Sequence, residues 1–180
     1  MVYVHLANGF EEVEALTVID LLRRAGVEVK SVSITGEKKV MGTHGIPVEA
    51  DILYEEADYE ACEMIVLPGG LPGADYLGEH EGLVKHIRCF AENDKYLAAI
   101  CAAPIALEAA GVLSGRQVTC YPGVEGELKS AAQVLAQPTV VDGLLVTGRG
   151  PGAALEFGFA LGTVLGKAEQ VAELRVAMCV

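Results

Sequence analysis

Short β-branched runs alternate with helical patterns along almost the whole chain, and that alternation constrains the fold more than any other feature. VYVHLA (2–7) reads as a buried strand. In the segment after it, EEVEALTVIDLLRRAG, Val13, Leu16, Ile19 and Leu21 or Leu22 fall at helical spacing. Arg23 and Arg24 suit the negative end of that helix, and Gly26 stops it. VEVKSVSI (27–34), MIVLPGG (64–70), YLAAI (96–100), QVTCY (117–121) and LLVTG (144–148) read as further strands. Residues 38–52 carry two short β patterns around Gly42 and Gly45, a hairpin. Helices are expected at 79–93, over APIALEAAGVL, and at about 151–165 and 167–177. Strand and helix repeated at this spacing predict an α/β fold, a doubly wound and mostly parallel sheet with helices on both faces.

Length and composition narrow the function. The 180 residues suit one domain, 1–180, and a 52% hydrophobic composition is too apolar for a disordered chain. The net charge of −12, with basic residues scattered, argues against a nucleic-acid partner. No apolar run reaches the ~18 residues of a membrane span. The N-terminus MVYVHLANGFEEVE lacks the basic start of a signal peptide. Cys62, Cys89, Cys101, Cys120 and Cys179 form no CxxC pair and no metal-like spacing. Five unpaired cysteines without a secretion signal point to reduced thiols, a cytoplasmic location and no metal or other cofactor.

In folds of this class ligands bind at the carboxyl ends of the strands. Three candidates lie there: the loop after Ala7, the PGG after Leu67, and Cys101 after Ile100. In AAICAAP, Cys101 reads equally as a small core residue or as a nucleophile. Small neighbours and Pro104 permit a sharp strand-to-helix turn of the nucleophile-elbow kind, and a helix N-terminus there would lower the thiol pKa. In GFEEVEAL, Glu11 and Glu12 read as solvent-facing partners of the helix dipole. Glu14, between Val13 and Leu16, leans toward the core, where a neutral carboxyl could donate to a thiolate. Gly69 and Gly70 offer unobstructed backbone N–H groups, an oxyanion hole or a plain turn. No G-K-[ST] follows, so they are not a phosphate loop.

GFEEVEAL, RRAGVEV, IVLPGGLPGA, AAICAAP and TGRGPGAALEF, in this order, resemble the ThiJ/PfpI family, in particular its branch of the parkinsonism-associated deglycase and bacterial relatives. The resemblance runs from about residue 2 to 178. It implies a flavodoxin-like sheet of the class I glutamine-amidotransferase-like kind, and a homodimer with Glu14, Arg24 and the adjoining helix face near the contact. It also implies that Cys101 is an oxidisable nucleophile and Glu14 its protonated partner. Gly70 and the N–H groups of Cys101 and Ala102 match the family's oxyanion-binding surface. Gly150 and Pro151, in RGPG, match a loop lining the same pocket. His44 stands where arginine is frequent near the pocket, and reads as an anion contact or a surface residue of the hairpin. His5, His80 and His86 have ordinary strand or helix-surface readings. The chain departs from several members in one place, since VTCYPG puts Tyr121 where they have a histidine beside the cysteine. Tyrosine, with an ordinary pKa near 10, is a poor base at neutral pH, which argues against a Cys-His-acid hydrolase triad.

Two functional classes follow. In the first, a cofactor-independent enzyme uses Cys101 and Glu14 on reactive dicarbonyls or glycated side chains. In the second, oxidation of Cys101 makes the protein a redox sensor or holdase chaperone. An amidase or intracellular protease ranks last. The four other cysteines read as packing or surface thiols; Cys120 should face away from Tyr121 on a shared strand.

Overall fold

The computed structural model describes residues 1–180. In chain order the elements are β1 (Val2–Leu6), α1 (Glu12–Arg24), β2 (Val29–Ser33), β3 (Lys39–Met41), β4 (Pro47–Glu49), β5 (Ile52–Leu53) and β6 (Met64–Leu67). There follow α2 (Gly73–Glu79), α3 (Glu81–Glu92), β7 (Tyr96–Ile100), α4 (Pro104–Ala109), β8 (Gln117–Val118) and β9 (Gln133–Val134). The chain closes with β10 (Thr139–Asp142), β11 (Leu145–Gly148), α5 (Ala154–Val164) and α6 (Ala168–Ala177).

Seven strands form one sheet in the order β10-β11-β7-β6-β1-β2-β5, parallel throughout except for the β10–β11 hairpin. Both faces are covered, so the central strands carry apolar residues on both sides. Val2, Val4, Leu6, Met64, Val66, Ala98 and Ile100 pack with α1 and α5 through Ala15, Val18, Leu22, Phe157 and Leu161. Their sequence neighbours Tyr3, Ala7, Ile65, Leu67, Leu97 and Ala99 pack with α2, α3 and α4 through Leu77, Leu83, Ile87, Phe90 and Leu107. This two-residue alternation is the strand period written in the core. The doubly wound fold expected from the sequence is present, and the hairpin at 38–52 is β3–β4.

The chain runs from β1 outward to β2 and β5, then returns to place β6 on the other side of β1. The direction of winding therefore reverses between β1 and β6, and the loops after these strands diverge to leave a crevice. That crevice is where the site sits.

Several expectations need correction. QVTCY is a strand only at Gln117–Val118, which pairs with β9 outside the main sheet. Beyond it the backbone bonds to other elements: Thr119 N–H to Thr147 Oγ1 at 2.8 Å, and Tyr121 N–H to the Cys101 carbonyl at 2.9 Å. Cys120 is accordingly not on a strand with Tyr121; it is buried in the core on the α2–α4 side. On α1, Val13 and Leu16 are 51% and 39% exposed, while Glu12 and Glu14 are buried. His5 is fully buried on β1, with Nε2 2.7 Å from the Tyr59 hydroxyl. No helix is long and apolar enough to cross a membrane.

Candidate active site

Cys101 is the first residue after β7, and it sits at φ 66°, the left-handed region that non-glycine residues enter at a cost of about 1–3 kcal/mol. Bonds on both sides hold the strained residue: its N–H donates to the Gly148 carbonyl at 2.9 Å, and its carbonyl accepts from Tyr121. Ala102 and Ala103 complete the turn, and Pro104 opens α4, a helix of only six residues. The elbow read from AAICAAP is therefore present. Cys101 belongs to the buried core by exposure, at 8%, and it also lines a cavity of about 570 Å³. It is therefore a core residue that also reaches the cavity wall.

Glu14 reaches the same place from α1. Its side chain is fully buried, Oε2 accepts the Gly69 N–H at 2.8 Å, and Oε1 has no hydrogen-bond partner. Burial pushes the carboxyl up to about 7, helped by nearby Glu11 and opposed by the Gly69 N–H and by Cys101. Burial also raises the Cys101 thiol, and an ionised Glu14 raises it further, up to about 12, against the N–H groups of Ala102 and Gly70. The helix end alone does not make the thiol acidic, as the sequence had suggested. Two buried acids this close hold one proton between them, because removing both leaves two unscreened charges. Sulfur carries the negative charge only when Glu14 keeps the proton.

The glycines of the PGG turn make this approach possible. A Cβ on Gly69 would lie 2.6 Å from the Cys101 Cβ and 2.7 Å from Glu14 Oε2. Gly70, at φ +86°, would drive a Cβ into the backbone of Gly9, Phe10 and Glu11. Its N–H, with that of Ala102, instead faces the sulfur and favours negative charge there.

The cavity unites most of the residues expected from sequence: Cys101, Gly70, Ala102, His44, Tyr121 and Pro151 all line it. Gly150 lines an adjoining cavity of about 340 Å³ that shares Tyr121 and Pro151. Tyr121 is 48% exposed at the rim, packed over Gly150. His44 is exposed, and its Nδ1 lies 2.9 Å from Glu12 Oε2. Glu12 also accepts the His44 N–H at 2.8 Å, so it anchors the β3–β4 turn and does not face solvent. Glu11, also read as solvent-facing, is 8% exposed and lines the cavity. The signal for Glu11 was its helical spacing: residues 11, 14, 15 and 18 share one face of α1. All five cysteines are free.

A doubly wound sheet with a strained cysteine elbow and a buried glutamate beside it defines a cysteine-centred site of the DJ-1/PfpI type. The DJ-1/PfpI family profile matches residues 1–163, and the chain belongs to that family. It is 35% identical to Protein dj-1beta of Drosophila melanogaster over 98% of this chain and 95% of that protein. The crystal structure of Drosophila melanogaster DJ-1beta superimposes with a TM-score of 0.96 at 34% identity, covering 99% of this chain and 97% of that one. Oxidized Toxoplasma gondii DJ-1 gives a TM-score of 0.92 at 32% identity, covering 99% and 97%. Protein DJ-1 homolog B of Arabidopsis thaliana is 37% identical over 89% of this chain, which spans only 36% of that longer protein.

Proposed function

We propose that the protein is a cysteine-dependent enzyme of the glyoxalase or deglycase kind, acting on 2-oxoaldehydes or on the adducts they form with side chains. The observation that carries this reading is the placement of Cys101 on the wall of an open cavity with the Gly70 and Ala102 backbone, and the buried carboxyl of Glu14 packed behind it across Gly69. The Cys101 thiolate adds to the aldehyde carbon, and the oxyanion formed is held by the Gly70 and Ala102 N–H groups and then protonated. Glu14, ionised once it has given up its proton, takes the hydrogen from the former aldehyde carbon as a proton and returns it to the adjacent carbon, while the hydroxyl proton passes to the oxygen of that adjacent carbon. The resulting thioester is hydrolysed by water, which restores the thiol. For methylglyoxal the balance is one dicarbonyl plus one water to one lactate, with no redox cofactor. No step calls on a histidine base; His44, the one histidine lining the cavity, is tied to Glu12.

The test is product analysis. Purified protein given methylglyoxal without glutathione is expected to form lactate stoichiometrically with dicarbonyl consumed, followed by proton NMR. Consumption without lactate would mean simple trapping by thiols and amines, and would overturn the reading.

A second reading is oxidation sensing, and the unpartnered Glu14 Oε1 favours it. Two peroxide molecules would convert the thiolate to a sulfinate with release of two waters, and a protonated Glu14 would hydrogen-bond the product. Mild peroxide is expected to add 32 Da at Cys101, and Glu14→Leu to carry the cysteine on to the sulfonate. The same oxidation level in Glu14→Leu and wild type would count against the pairing. The exposed Val13 and Leu16 on α1 support a homodimer.

A further inference from the structure

Acids outnumber bases by 25 to 13 in this chain, so a cation has partners to choose from. Five of the six arginines use them or use carbonyls. Arg23 pairs with Asp51, Arg24 with Asp20, Arg116 with Asp142 and Arg175 with Glu156, while Arg88 donates to the carbonyls of Ala109 and Ala110. Arg149 is the exception. It is half-buried, and only its backbone N–H is bonded, to the Pro138 carbonyl at 2.9 Å. The exposed Glu125 lies in its field but gives Oε2 to the Gly123 N–H at 2.6 Å. A guanidinium cannot shed its charge, and its planar fork of donors matches a carboxylate.

The place of Arg149 says where that carboxylate would come from. It lies in the wall of the cavity of about 340 Å³ that adjoins the Cys101 cavity, and the two share Tyr121 and Pro151. The two cavities differ in charge. In the first, Glu11 repels an anion, and His44 already sits beside Glu11 and Glu12. In the second no carboxylate pairs with Arg149, and the backbone N–H groups of Gly150 and Gly152 meet no acceptor in the chain. We propose that Arg149 is a specificity-determining residue, which binds a carboxylate carried by the substrate a few bonds from the carbonyl that Cys101 attacks. A lone guanidinium balances one charge, whereas a phosphate dianion would need a second cation that this cavity does not supply. The substrate class is then 2-oxoaldehydes that end in a carboxylate. For its chemistry the assignment rests on the dicarbonyl reading; for binding it does not. The carboxylate is a spectator in the reaction: one γ,δ-dioxovalerate and one water give one α-hydroxyglutarate.

The experiment compares initial rates on γ,δ-dioxovalerate and methylglyoxal for wild type, Arg149→Met and Arg149→Lys. In wild type the ratio of the two kcat/KM values should favour the carboxylated substrate, less so as salt is raised. In Arg149→Met that ratio should fall at least about tenfold, chiefly through KM. Arg149→Lys keeps the charge without the fork and should lie between. Because the side chain bonds to nothing in the chain, both variants should fold, which thermal melting verifies. A second arm needs no turnover. Levulinate has the carboxylate and a ketone but no aldehyde, and it should slow alkylation of Cys101 by iodoacetamide in wild type and not in Arg149→Met. An unchanged ratio in Arg149→Met, an equal loss on both substrates, or no protection of wild type by levulinate would each overturn the assignment while leaving the dicarbonyl reading in place. A wild type that turns over neither dicarbonyl, yet is protected by levulinate through Arg149, would overturn that reading and uphold the carboxylate site.

Discussion

Cys101→Ser is expected to slow methylglyoxal turnover at least about a thousandfold while leaving the protein folded. The size of the effect follows from what the site lacks. A serine hydroxyl becomes a nucleophile only when a base removes its proton as it attacks, and no histidine stands beside position 101. Tyr121 occupies that side of the cavity, and Glu14 is the group that moves the proton between the two substrate carbons. A thiol escapes this demand because its thiolate forms far more readily and is intrinsically reactive. The fold should survive, since Ser tolerates the same left-handed backbone, and the turn is held by backbone bonds to Gly148 and Tyr121. The stability cost is about 1 kcal/mol. Cys120→Ser is the control: it makes the same atomic change in the core, away from the cavity lining, and should leave the rate within about twofold. Initial rates and thermal melting of the three proteins decide it. A Cys101→Ser rate above a tenth of wild type would remove the thiolate from the mechanism.

The parts of this site that could be read from residues are those where local rules and function agree. GFEEVEAL, MIVLPGG and AAICAAP mark strand ends because strand propensity, glycine and proline all change there. The sheet order was not written locally, but a strand–helix alternation leaves few topologies. Where the reading failed, function had overridden pattern. Apolar spacing put Val13 and Leu16 inward on α1, yet the buried face carries Glu11 in line with Ala15, Val18 and the Glu14 that the sequence did place inward. Glu11 and Glu12 look like dipole partners, and only tertiary structure shows one of them lining the cavity and the other fastening a hairpin. QVTCY failed for another reason. Its β-branched residues are real, but past Val118 the hydrogen bonds go to Thr147 and Cys101, not to a strand. Strand β10 stands out little in the sequence although Asp142-Gly143 before LLVTG is a hairpin signal, because its run TVVD is only four residues long.

The ionisation of Glu14 should be visible in stability as well as in rate. Its carboxyl is raised from 4.5 to about 7 by burial. Between these values the folded protein holds a proton that the unfolded chain has released. Stability from this group is therefore fully present below about pH 4.5 and lost as pH rises through about 7. The loss amounts to roughly 2–4 kcal/mol, the free-energy equivalent of that shift. Glu14→Gln keeps the shape and can still accept the Gly69 N–H, but it has nothing to titrate. The difference in denaturation free energy between wild type and Glu14→Gln should therefore move against wild type by that amount from pH 4.5 to 8. Turnover should fall about a hundredfold or more in Glu14→Gln, because the proton transfer between the two carbons loses its carrier. The wild-type profile should inflect near pH 7, where the Cys101–Glu14 pair gives up the first of its two protons and comes to share one. Should the same inflection persist in Glu14→Gln, or the stability difference stay flat with pH, the shared proton would belong to some other pair of groups.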